Sequence, residues 1–137
     1  MAIVRPYGSR LATDGGHVMA KSFGTVLLVD DDDRFRCATT KALENAGFAV
    51  VAAPDHHKAL EVLEGNDPVD LLVTDLLFAN GIHGFALARM ARMRRLGLKV
   101  IYVTGFDVPE VEAVGKVLRK PVSNEQFLTE VELALAD

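Results

Sequence analysis

A chain of 137 residues, half of them hydrophobic and a quarter charged, suits one soluble domain with a core of its own. A net charge of -4 and a pI near 5.5, with no run of basic residues, leave no footprint for neutralising phosphates, so direct nucleic-acid binding is not expected. Cys37 is the only cysteine, which excludes an internal disulfide and a cysteine metal site, and no apolar stretch approaches the ~20 residues that span a bilayer. A reduced, cytoplasmic setting away from the membrane is expected.

Residues 1–22 mix Arg5, Pro6, Gly8, Arg10, Gly15 and Gly16 without a period and lack the apolar stretch of a signal peptide. They are expected to be a poorly ordered N-terminal extension, with one domain over residues 23–137. Short apolar runs then alternate with segments of helical period, the pattern of a parallel sheet with crossover helices. Strands are predicted at Thr25–Val29, Ala49–Ala52, Asp70–Thr74, Lys99–Val103 and Lys116–Leu118. Helices are predicted at Asp33–Ala46 before Gly47, at His56–Leu63 closed by Gly65, and at Gly84–Leu96 closed by Gly97. A last helix starts at Ser123, with Gln126 three positions on completing a capping box. Between the fourth and fifth strands, Asp107–Ala113 holds Pro109 and leaves room for a short fourth helix only. Right-handed crossovers give an α/β, doubly wound five-stranded parallel sheet whose site lies at the carboxyl ends of the strands.

Polar residues gather at that edge. The first strand ends in Asp30-Asp31-Asp32-Asp33, the third in Asp75, the fourth in Thr104, and the fifth runs into Lys120-Pro121. Carboxylates crowded together repel one another unless a cation neutralises them. Magnesium takes oxygen ligands and commonly combines one or two carboxylates with a phosphate oxygen, so the edge suits phosphoryl chemistry.

These residues resemble the receiver domains of bacterial response regulators, over roughly residues 24–136. The resemblance implies a flavodoxin-like strand order of 2-1-3-4-5 and Asp75 as phosphoacceptor. It further implies Mg2+ held by Asp31 directly, by Asp30 through water, by Asp75 and by the main-chain carbonyl of Leu77. Thr104 would hydrogen-bond the phosphoryl group and Lys120 would pair with its charge. Arg36 fits the basic residue often found after the acidic pair. The donor would be a histidine kinase or phosphotransfer protein, the output partner is not specified, and the chain would catalyse only its own phosphorylation and dephosphorylation. With no effector domain after Asp137, output would pass by binding or by onward phosphoryl transfer.

The loop Asp75-Leu-Leu-Phe-Ala-Asn-Gly-Ile-His-Gly84 is one residue longer than the commonest receiver pattern. Together with Thr104-Gly105-Phe106 and a short fourth crossover, it is similar to receivers associated with hybrid histidine kinases. Phe78-Ala79-Asn80-Gly81 stands where those often carry Met-Pro-Gly-Gly, and Val117 stands where many receivers place an aromatic ring that moves with the threonine. Leu77 and Phe106 are apolar at the positions expected to flank the phosphoryl group.

Two other readings stay open. Asp30-x-Asp32 after an apolar strand resembles the nucleophile motif of haloacid-dehalogenase-like phosphatases, although Arg34 departs from it and no later acidic pair follows. A receiver fold can also serve as a phosphorylation-independent binding module. Flavin binding is disfavoured because no Ser/Thr/Gly-rich phosphate loop follows the first strand. An Asp-Asp pair by itself is more often a charge cluster at a helix start. His56, His57 and His83 are expected to face solvent, Cys37 to be a small core residue, and Met90, Met93 and Leu96 to pack along a helix.

Overall fold

The computed structural model describes residues 23–77, 83–107 and 114–136, and the backbone of residues 11–14 and 17–20. Elements follow in the order β1 (Leu11–Asp14), β2 (His17–Ala20), β3 (Thr25–Val29), α1 (Asp33–Asn45), β4 (Ala49–Ala53) and α2 (His56–Glu64). Then come β5 (Leu71–Thr74), α3 (Gly84–Arg94), β6 (Lys99–Thr104), β7 (Lys116–Arg119) and α4 (Asn124–Leu135). The predicted short helix at Asp107–Ala113 lies, apart from Asp107, outside the described residues.

Five strands form one parallel sheet in the order β4-β3-β5-β6-β7, which is 2-1-3-4-5 when these strands alone are counted. Alternation along each strand sends side chains to opposite faces. Leu27, Val29, Leu72, Val100 and Tyr102 pack with Leu63 of α2 and with Phe85, Leu87, Ala88 and Ala91 of α3. Val26, Leu28, Leu71, Val73, Ile101 and Val103 pack with Leu43 of α1 and with Phe127 and Val131 of α4. Because both faces are covered, β3, β5 and β6 read as nearly unbroken apolar runs rather than alternating ones.

Polar side chains at the helix starts accept otherwise orphaned backbone N–H groups. Asp32 caps α1, Asp55 caps α2 and Ser123 caps α4. His83 caps α3, its Nδ1 accepting from Phe85 N at 3.3 Å, so this half-buried histidine has a structural partner and is not a plain solvent-facing loop residue. Past the end of α1, Gly47 takes φ +98°, a left-handed turn that favours glycine.

Residues 11–14 and 17–20 pair antiparallel as a separate two-stranded sheet. Gly15-Gly16 between two short runs is the sequence signature of such a hairpin. Two expectations need correction. Cys37 is exposed, because the buried stripe of α1 runs through Thr39 and Leu43 and leaves position 37 on the outer side. Met93 and Leu96 are 78% and 92% exposed, since α3 buries Phe85, Leu87, Ala88 and Ala91 and ends at Arg94.

Candidate functional site

Strand register brings the polar residues together. Val29 pairs with Thr74, and Thr104 pairs with Arg119, so Asp30, Asp75 and Lys120 each lie one residue past a paired position on the same sheet edge. Main-chain bonds hold them there: Asp75 N donates to Val29 O at 3.2 Å, Asp30 N to Ala53 O at 3.2 Å, and Lys120 N to Thr104 O at 2.7 Å. The start of α3 closes in from the side. Gly84 N donates to Leu76 O at 2.8 Å, and a Cβ at Gly84 would collide with the Asp75 carbonyl oxygen, so glycine is required for this approach.

Carboxylate oxygens of Asp30, Asp31 and Asp75 lie within 4.8 Å of one another. Lys120 Nζ bridges two of them, at 3.0 Å from Asp30 Oδ2 and 3.3 Å from Asp75 Oδ2. Asp30 is 1% exposed, and its other oxygen accepts from Asp32 N at 2.9 Å. Asp75 Oδ1 accepts from Leu76 N at 2.6 Å and Leu77 N at 3.4 Å, which leaves the Oδ2 side toward Lys120. Thr104 is fully buried, and its hydroxyl accepts from Phe106 N at 3.3 Å.

Burial is the main cause that raises the Asp30 carboxyl above its ordinary value; bonds from Asp32 N and Lys120 oppose it, and Asp75 adds repulsion. For Lys120 burial works downward, but the hydrogen bond and charge of Asp30, followed by those of Asp75, raise the ammonium above the ordinary lysine value. Three carboxylates gathered in one place suit a divalent cation. The donor set is all carboxylate oxygen, the hard type that magnesium takes.

The predicted residues therefore divide by role. Asp30, Asp31, Asp75 and Lys120 meet in one cluster, and Thr104 is joined to Lys120 through the main chain. Asp32 is spent as a helix cap, Oδ1 accepting from Arg34 N at 3.0 Å and Phe35 N at 3.3 Å, which counts against its use as a phosphatase general acid. Arg36 ties α1 to the site, Nη1 donating to the Asp30 carbonyl at 2.7 Å and Nη2 to Asp33 at 2.5 Å. Leu77 and Phe106, at 45% and 55% exposure, stand at the rim rather than in the core. Phe35 is a neighbour that sequence reasoning missed: its ring centroid lies 4.2 Å from Lys120 Nζ. Position 35 carries no motif, so only the fold reveals it.

The family model of the response regulator receiver domain matches residues 26–132. The chain belongs to that family. This receiver is 34% identical over 116 residues to the response regulator receiver protein CpdR of Brucella abortus, covering 80% of this chain and 95% of that protein. It is 33% identical over 116 residues to the sensor kinase CckA of the same organism, covering 79% of this chain but only 12% of the kinase. Among solved structures, a response regulator receiver protein from Sinorhizobium medicae superposes with a TM-score of 0.76 at 30% identity, covering 82% of this chain and 94% of that one. The similarity to part of a sensor kinase agrees with the loop features shared with receivers of hybrid kinases. Among the described residues, no helix is long and apolar enough to cross a membrane.

Proposed function

We propose that residues 23–137 form a phosphoacceptor receiver of a two-component phosphorelay that takes a phosphoryl group from a phosphohistidine onto Asp75. The observation that carries this reading is the cluster itself: three carboxylates within 4.8 Å, two of them bridged by one lysine. Asp30, Asp31 and Asp75 would hold Mg2+, Asp31 as a direct ligand and Asp30 through water, with the Leu77 carbonyl completing the protein set. When bound, the ion offsets the negative charge that gathers as the phosphoryl group approaches three carboxylates.

The chain's own residues do the rest. Asp75 attacks phosphorus, an acyl-phosphate bond forms, the bond from phosphorus to the donor nitrogen breaks, and the imidazole leaves as the acceptor of a proton. Main-chain N–H groups of Leu76 and Leu77 hold the Asp75 carboxylate in one orientation by way of Oδ1. Lys120, held beside Asp75, pairs with the phosphoryl oxygens that arrive there, and the Thr104 hydroxyl donates to one of them. Signalling is then a shift between existing conformers, favoured by the added charge of about -1.5 to -2.

Acetyl phosphate with magnesium tests the reading on a phosphate-affinity gel. The native chain should shift in a magnesium-dependent manner and Asp75→Asn should not, because the amide keeps the shape but is a poor nucleophile. An undiminished shift in Asp75→Asn would overturn the assignment.

A further inference from the structure

We infer that Phe35 is a positioning residue for Lys120, holding its ammonium against the carboxylates through the face of its ring; the inference rests on the proposed phosphoacceptor reading. Lys120 Nζ lies 4.2 Å from the Phe35 ring centroid, within the range over which an aromatic quadrupole attracts a cation. The same nitrogen reaches Asp30 Oδ2 at 3.0 Å and Asp75 Oδ2 at 3.3 Å. Two hydrogen bonds alone leave a four-carbon stem free to swing about them, whereas a ring as third neighbour restricts that motion.

The ring is itself fixed. Phe35 is half-buried and packs against the α1–α4 core layer. Its main-chain N–H donates to the Asp32 cap at 3.3 Å, and the next residue, Arg36, is anchored to the Asp30 carbonyl at 2.7 Å. The first turn of α1 is thus tied to the strand end that carries Asp30, so the ring and the carboxylate hold fixed positions around the ammonium. A leucine at position 35 would fill similar apolar space but present no negative face, and Lys120 would lose that restraint while keeping both carboxylates.

The experiment uses the full chain and separates ring electrostatics from shape. Phe35→Leu, Phe35→Tyr and a series of ring-fluorinated phenylalanines at position 35 are compared, fluorination draining the ring face while leaving its outline nearly unchanged. Initial rates of Asp75 phosphorylation by acetyl phosphate at fixed magnesium should fall about three- to tenfold in Phe35→Leu, recover in Phe35→Tyr, and decline step by step with fluorine number. Equal rates in Phe35→Leu and the native chain, or a fluorinated series without gradation, would overturn the inference. A readout independent of phosphorylation is the Lys120 Cε proton shift, which should lie upfield in the native chain from the ring current and return to the ordinary lysine value in Phe35→Leu. A native shift already at that value would also overturn it. If the native chain takes no phosphoryl group on Asp75, the proposed function fails and the proton shift decides the inference by itself.

Discussion

Replacing Lys120 with methionine removes the one positive group shown bonded to both Asp30 and Asp75 and keeps most of the stem's apolar volume. Asp30, 1% exposed, would then retain one hydrogen bond, from Asp32 N, beside the like charge of Asp75. Breaking a buried ion pair by removing one partner costs about 3–5 kcal/mol. The Lys120 side chain is 23% exposed, so water can partly take its place and the lower end, about 3 kcal/mol, applies. For a domain of this size that corresponds to a melting temperature lower by about 10 °C. The assay is thermal unfolding in chelator across pH. Asp30 has a raised folded pKa, so its protonation favours folding fully below the ordinary 3.8 and that contribution is lost as pH rises through the folded value. The methionine variant raises it further, so its deficit should be full at neutral pH and close toward pH 4. Lys120 also has a raised folded pKa, so its contribution in the native chain is complete below 10.5 and lost as pH climbs through the folded value, which closes the gap again in alkali. Magnesium at about a hundred times Kd should raise the stability of the variant by about 2.7 kcal/mol over its value in chelator. Coincident melting of the two proteins in chelator at neutral pH would refute the charge-balance reasoning.

Calorimetry should show magnesium binding to the native chain and its loss in Asp31→Ala; undiminished affinity would remove Asp31 from the site. Leu77 and Phe106 offer no hydrogen bond to orient an attacking water, so the phosphoryl group should be long-lived, and Leu77→Asn with Phe106→Glu should hasten its loss in a radiolabel decay assay. Equal decay in both proteins would show that these positions do not gate water. With Val117 in place of an aromatic ring, Tyr102 is the buried aromatic two residues before Thr104, and its hydroxyl accepts from Val114 N at 3.3 Å. Phosphorylation should therefore alter amide exchange at Val114, and Tyr102→Phe should abolish the difference; exchange unchanged by phosphorylation would contradict this route.

Residues that obey a short-range rule were readable from the sequence. The strands of the parallel sheet are short apolar runs, β3, β5 and β6 covered on both faces, and Gly47 and Gly65 mark the ends of α1 and α2, so the elements follow from pattern, while the strand order came with the family resemblance. Asp30, Asp31, Asp75, Thr104 and Lys120 were legible because each ends or follows a strand, and a parallel sheet gathers such ends on one edge. Contacts between elements were not. Phe35 meets Lys120 only because α1 folds back over β3, and Tyr102 reaches Val114 only across the β6–β7 crossover. Cys37 was misread because cysteine is among the residue types most often buried, while the buried stripe of α1 passes through Thr39, a polar residue that hydropathy does not flag. Met93 and Leu96 failed because Met93 lies off the face of α3 that buries Phe85, Leu87, Ala88 and Ala91, and Leu96 lies past the helix end at Arg94.

The central claim, that Asp75 alone receives the phosphoryl group, is tested most directly by trapping the acyl phosphate with borohydride after treatment with acetyl phosphate and magnesium. Reduction converts a phosphorylated aspartate to homoserine, which peptide mass spectrometry can place among Asp30, Asp31, Asp32 and Asp75. Homoserine at position 75 alone is the expected result. Homoserine at position 30 would instead support the phosphatase-like nucleophile, and none at any of the four would contradict phosphoacceptor function.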